Sequence, residues 1–437
     1  TKRATARFIE PAQGTLRRAE SKRHHIVFGR RGSGKSSLLY KSAENLTKLT
    51  HPVAYVDLEP FKGHHYPDVL ISVLLASLSK FKDWLQKTDI TEKRKRLWYT
   101  VFFKKEYGKK RHLLDDIKKN IKELVNQLYL ADGSSLIEKF IDSINEKQKL
   151  QSKGKSKAGI QLVEGSIETD IATAVETTSS KEVQEEFKRS KIDYLHRKIM
   201  DFQDIFTGFA RLTNVDCYLF LDDLYHIRKQ DQPNLLDYFH RIAKGNNLWI
   251  KIGTIKNRST WYIHSPQPIG LKLGDDADDI NLDLTLEKFS VSREFLKSVL
   301  ESYIKETNAP PLRDFIADGG INRLVISSGG VTRDFLGIFR RSIDETRERL
   351  TKNRNHPRGP KIGAEDVNVA AGAYGEIKRE EFKRDTLDDQ IRLDEAFNKL
   401  RMFCLDKTKT NVFLIDQDLK GSDYELVQEL IALRLIH

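Results

Sequence analysis

The segment Gly29-Arg30-Arg31-Gly32-Ser33-Gly34-Lys35-Ser36 satisfies every specified position of the spacing G-x-x-x-x-G-K-[ST]. The chemistry this spacing supports is the binding of a nucleoside triphosphate. Glycines without a Cβ let the backbone take left-handed angles and turn successive N–H groups toward phosphate oxygens. Lys35 would neutralise the β- and γ-phosphates, and the Ser36 hydroxyl would serve Mg²⁺. The whole run Gly29, Arg30, Arg31, Gly32, Ser33, Gly34, Lys35, Ser36 and Ser37 is expected to line the phosphates. A second group is Asp222-Asp223, which closes the apolar run Cys217-Tyr218-Leu219-Phe220-Leu221. Asp222 is suited to holding Mg²⁺ through water beside Ser36, and Asp223 to positioning or polarising an attacking water.

These residues need strands and helices to hold them. His25-Ile26-Val27-Phe28 reads as a buried strand leading into the loop, and Ser36 to Ala43 as the helix that leaves it. Pro52 to Leu58 reads as a second strand, Tyr66 to Leu85 as a helix, and Leu248 to Thr254 as a further strand preceded by a helix over Leu235 to Lys244. Thr254, Lys256, Asn257 and Arg258 would face the γ-phosphate if that strand lies between the loop strand and the Asp222 strand. Ordinary strand-end polarity is the other reading of these residues.

The chain has 437 residues, 75 Lys plus Arg against 63 Asp plus Glu, and a formal charge of +12. That length suggests two or three domains, and the basic balance favours nucleic acid or another polyanion as partner. Ten basic residues between Lys87 and Arg111 interleave with Trp98, Tyr99, Phe102, Phe103 and Tyr107. Such a mixture could grip a phosphate backbone while stacking on bases, or be an amphipathic helix with solvated lysines. From Ser152 to Lys191 the composition shifts to Lys, Gly, Ser, Thr and Glu, which suggests an insertion, either a mobile loop or a projecting β-ribbon. The two cysteines, Cys217 and Cys404, lack metal-ligand spacing and read as reduced, buried thiols. No run approaches a transmembrane span, so a cytoplasmic protein without membrane contact is expected.

Together with Gly329-Gly330-Val331-Thr332-Arg333-Asp334-Phe335-Leu336, the loop, the acidic pair and the polar strand end resemble an AAA+ ATPase, most closely the initiator and origin-recognition clade. The resemblance implies an α/β fold: a P-loop core with a parallel sheet, a helical lid, and a C-terminal winged-helix-like domain. It implies ATP and Mg²⁺ as cofactors, hydrolase activity, and ATP-dependent homo-oligomers. Arg333 matches the lid arginine that reaches the nucleotide, and Thr254 or Asn257 resembles the first sensor. A solvated helix-start arginine is the alternative for Arg333. Arg258 and Arg241 are candidates for an arginine finger.

The expected domains are 1–86 and 192–289 for the ATPase core, 87–191 for the basic and low-complexity insertion, 290–351 for the lid and 352–437 for the C-terminal unit. That last unit, with helices expected over Leu393 to Leu405 and Ser422 to Leu435, could bind duplex DNA or dock a protein partner. The Asp-Asp pair, where initiators usually carry Asp-Glu, also resembles STAND signalling switches. Slow hydrolysis with partner recruitment as output, suited to a role in antiviral defence, is therefore the alternative function. Phosphoryl transfer to a small molecule is disfavoured by the acidic pair, the lid arginine and the basic C-terminal region.

Overall fold

The computed structural model describes residues 8–88, 101–129, 181–307, 309–353, 356–385, 390–410, 413, 415, 421–432 and 435–436. Five strands form one parallel sheet: β1 (His24–Phe28), β2 (Val53–Asp57), β3 (Cys217–Asp222), β4 (Leu248–Thr254) and β5 (Ala277–Asn281), in the spatial order β2-β3-β4-β1-β5. Strands β1 and β3 are buried at every position, as expected of strands covered on both faces. Edge strand β2 alternates between half-buried and buried residues and ends on exposed Asp57. The strand carrying Thr254 does lie between the loop strand and the Asp222 strand. In register, His25 stands opposite Lys251 and Phe28 opposite Thr254.

Contacts divide the chain into two compact units, Thr1–Leu49 with Phe220–Tyr225 and Lys251–His437, and Thr50–Leu219 with His226–Ile250. The second unit is mainly helical: α3 (Asp68–Lys87), α4 (Val101–Leu128), α5 (Lys181–Thr213) and α6 (Gln232–Ala243). Helix α3 packs on α4, α4 on α5, and α5 on α6. Phe81 meets Phe206 edge to face and Phe209 at a tilt, with ring centroids 5.1 and 5.6 Å apart. Residues 89–100 of the basic block and 152–180 of the expected insertion lie outside the described residues.

The first unit holds α1 (Thr15–Glu20), α2 (Lys35–Lys48) and the helices after β5: α7 (Phe289–Thr307), α8 (Asp318–Ser327), α9 (Thr332–Lys352) and α10 (Ala364–Asp385). Leu296, Leu324, Phe335, Ile338, Val367 and Ala370 share one apolar cluster, so α10 belongs with α7 to α9. Two ion pairs fasten it. Arg349 donates to both oxygens of Asp366 at 2.9 and 3.1 Å, and Lys378 pairs with Asp334, whose other oxygen accepts from Tyr374 at 3.0 Å. A lid ending at residue 351 therefore does not coincide with a break in packing, because the apolar face of α9 is completed by α10. Helices α11 (Gln390–Met402) and α12 (Ser422–Ala432) form a separate small cluster around Leu393 and Leu430.

Candidate functional site

All residues of the site lie in the first unit. Strand β1 ends at Phe28, the loop 29–34 turns through left-handed Gly32 (φ 88°) and Gly34 (φ 101°), and α2 begins at Lys35. A Cβ on Gly32 would stand 2.6 Å from the Cβ of Arg333 and 3.3 Å from Val331 Cγ1. Only glycine lets the first turn of α9 rest against the loop, and the Arg333 N–H donates to Gly32 O at 3.2 Å. This contact is what brings Arg333 to the loop.

Lys35 is buried, and its Nζ donates to Gly29 O at 2.9 Å and Arg30 O at 3.2 Å. Burial lowers its pKa; Asp223, Asp222 and Asp283 oppose that effect, and Arg333 adds to it. Two cations thus share one small region with three carboxylates. Asp222, also buried, accepts the Asp223 N–H at 2.9 Å. Its carboxylate occupies the space that a Cβ on Gly253 would take, and the same Cβ would lie 2.7 Å from Leu39 of α2. Gly253 is thus what allows Asp222 to sit between β4 and α2. Asp223 itself is left-handed, with φ 56°, an unusual conformation for a residue with a Cβ.

The remaining expected residues are placed differently. The Arg30 N–H and Nε donate to Asp283 Oδ1 at 2.7 and 3.4 Å, and Nη2 donates to Leu284 O at 2.8 Å and Gly329 O at 2.9 Å. Its guanidinium thus ties the loop to the segment after β5 and to the turn before α9. Arg31 and Ser37 are exposed and Ser36 half-buried. Ser33 Oγ is buried without a hydrogen-bond partner. Thr254 is buried and its hydroxyl bonds Ser259 Oγ, while Asn257 donates to Gln428 Oε1 of α12 at 2.6 Å. Arg241 lies on α6 in the other unit, 4.0 Å from Asp237.

Tyr225, Asp283 and Gly253 were not legible as site residues. Tyr225 lies two residues past Asp223, a spacing that could have drawn attention to it. The Lys35 ammonium lies 5.9 Å from its ring centroid and the Arg258 guanidinium 6.0 Å. Burial, with Asp223, pushes its hydroxyl pKa well above the usual phenol value, so Tyr225 stays neutral.

The residues suit a triphosphate with Mg²⁺. Left-handed Gly34 has open space where a Cβ would be, Ser33 Oγ is an unpartnered buried oxygen, and Lys35 and Arg333 are cations in one place. Among the described residues no group of three or more His, Cys, Asp or Glu could hold a metal by itself. Ser36 and Asp222 are the residues that would hold Mg²⁺ together with phosphate and water. No described helix is long and apolar enough to cross a membrane. No protein-family model matches the chain, and no curated protein matches it.

Proposed function

We propose that this chain binds and hydrolyses ATP with Mg²⁺ and uses the nucleotide to set the position of its lid helices, as an AAA+ ATPase of initiator-like type. The observation that carries the reading is the convergence of Lys35, Asp222, Asp223 and Arg333 on a loop whose two left-handed glycines turn it into α2.

The loop N–H groups and the start of α2 receive the phosphates, and Lys35 moves from loop carbonyls to phosphate oxygens, exchanging one set of acceptors for a charged one. Asp222 is held by the Asp223 N–H and by the space at Gly253, so its carboxylate is fixed beside the first turn of α2. Mg²⁺, when bound, supplies positive charge that neutralises the β- and γ-oxygens. Asp223 accepts a hydrogen bond from the attacking water and orients it. Arg333 reports the γ-phosphate to α9, because its backbone is already bonded to Gly32.

The AAA+ lid corresponds in this proposal to α7 through α10, and the C-terminal unit to α11 and α12. Duplex DNA, a protein partner and a second copy of the chain are proposed as ligands of the assembled state. The net charge of +12 supports the first of these. One feature favours slow, switch-like turnover of the STAND kind. The shorter Asp223 side chain, on a left-handed backbone bonded to Asp222, leaves its carboxylate less reach toward water than a glutamate would have.

The test is steady-state ATP hydrolysis by the full chain. Turnover is expected to require Mg²⁺ and to fall about a hundredfold in Asp223→Asn, the order of loss for removing one charged group from a transition state. Mg²⁺-independent turnover, or turnover unchanged in Asp223→Asn, would overturn the proposal. Particle size with and without ATP and duplex DNA tests the assembly.

A further inference from the structure

Neighbouring residues in the first turn of α9 are held by different parts of the molecule. The Arg333 N–H is bonded to Gly32 O of the phosphate loop, and the turn before it is tied to the same loop by Arg30 on Gly329 O. Asp334 instead reaches α10. It is fully buried, with one oxygen accepting from the Tyr374 hydroxyl at 3.0 Å and the other paired with the Lys378 ammonium. Tyr374 and Lys378 stand one turn apart on α10, so a single face of that helix supplies both partners. The ammonium also lies 5.3 Å from the tyrosine ring centroid.

Two details set this contact apart from plain helix packing. Apolar side chains of similar volume would join α10 to α9 as firmly as a buried ion pair does, but without fixing the position of one particular turn. The second detail is Gly337, inside α9, where glycine is costly for a helix. A Cβ there would stand 2.8 Å from the Tyr374 ring. The glycine admits the ring to α9 about one turn beyond Arg333.

We propose that Tyr374 and Lys378 are positioning residues for the nucleotide site: by gripping Asp334 they hold the first turn of α9 against the phosphate loop, and so set the affinity for ATP through Arg333. The inference rests on the ATP-binding reading of the loop. Neither residue touches the nucleotide. A turn held by the loop on one side and by α10 on the other leaves the Arg333 backbone little freedom, so less ordering is required when its guanidinium meets the γ-phosphate.

The test is equilibrium binding of ATP and of ADP, each with Mg²⁺, to the full chain and to Lys378→Met, Lys378→Arg, Tyr374→Phe, Arg333→Ala and Lys35→Ala. Lys378→Met and Tyr374→Phe are also each combined with Arg333→Ala. Thermal unfolding identifies the variants that are folded at the working temperature. Lys378→Met is expected to bind ATP about tenfold more weakly, with ADP affinity nearly unchanged, and to cost nothing further once Arg333 is alanine. Tyr374→Phe, which keeps the ring and alters no charge, is expected to lose about threefold on ATP alone, the share of one hydrogen bond. Lys378→Arg keeps most of the affinity, since the cation remains. Should Lys378→Met fail to fold, Tyr374→Phe with and without Arg333→Ala decides the question. Equal losses on ATP and ADP, losses as large beside Arg333→Ala, or no loss in either variant would overturn the positioning role. Lys35→Ala abolishing binding of both nucleotides would leave the ATP site standing in that case. Lys35→Ala binding as tightly as wild type would overturn the site itself.

Discussion

Two buried lysines, Lys251 in the middle of β4 and Lys35 at the start of α2, have surroundings that differ in kind. Lys251 is 0 % exposed, and its Nζ meets Ser21 O at 2.6 Å, Arg23 O at 2.7 Å and His25 Nδ1 at 3.0 Å. Lys35 is 5 % exposed, and its Nζ meets two carbonyls of its own loop. Those hydrogen bonds of Lys251 go to the lead into β1 and to β1 itself; burial lowers its pKa to about 7 against the opposing charges of Glu20 and Asp278. His25 is pushed down to about 3, by burial first and then by Lys251, so it remains neutral. Around Lys35 stand three carboxylates, a second cation and two left-handed glycines. Burial of a cation, even with carboxylates near it, does not mark a site. Opposed charges, gathered at a backbone able to turn its N–H groups outward, do.

Substitutions can break or sharpen that contrast. The largest effect on stability is expected from Arg30→Ala, which leaves Asp283 and two carbonyls without their guanidinium. A loss of about 3 kcal/mol in denaturant unfolding is expected for this mostly buried ion pair. Gly32→Ala follows, at about 2 kcal/mol, from left-handed strain and the collision with Arg333. The same variant should weaken ATP binding, because the start of α9 is displaced from the loop.

At the other lysine, Lys251→Met tests the sealed cluster through pH. Between pH 7 and the ordinary lysine range near 10.5, the unfolded chain carries the proton and the folded chain does not. Folding stability therefore rises with pH across that window, by at most about 1.4 kcal/mol per unit. Lys251→Met should remove that slope; a difference between the two proteins that does not change with pH would contradict the assignment. The smallest effect belongs to Asp223→Gly, which relieves a left-handed residue and should raise stability by about 1 kcal/mol while abolishing turnover. A site residue whose loss stabilises the fold would set the loop apart from the Lys251 cluster.

The sequence exposed the loop end more fully than the rest. Apolar runs and glycine spacing revealed β1, the loop, α2, β3 and β4, because strands covered on both faces are continuous in hydrophobicity. Strand β5 was missed: Ala277-Asp278-Asp279-Ile280-Asn281 sits at an edge of the sheet and shows only two buried residues. Lys251 lay in a recognised strand, yet nothing local shows that its amine reaches carbonyls at positions 21 and 23. The roles of Arg30, Tyr225 and Asp283 depend on contacts between distant segments, such as Arg30 with Gly329, which no spacing encodes. The packing of α10 with α7 to α9 was not legible for the same reason. Its anchoring to α9 through Asp334 and Asp366 is a tertiary fact, and the intervening basic stretch reads as a linker.

The central claim is that Lys35, and not the more deeply buried Lys251, belongs to a nucleotide site. Calorimetric titration of the full chain with ATP in the presence of Mg²⁺ tests it most directly. The account predicts that wild type and Lys251→Met bind alike and that Lys35→Ala binds at least about a hundredfold more weakly, the equivalent of its charged phosphate contacts. Lys35→Ala binding as tightly as wild type, or Lys251→Met losing as much as Lys35→Ala, would contradict it.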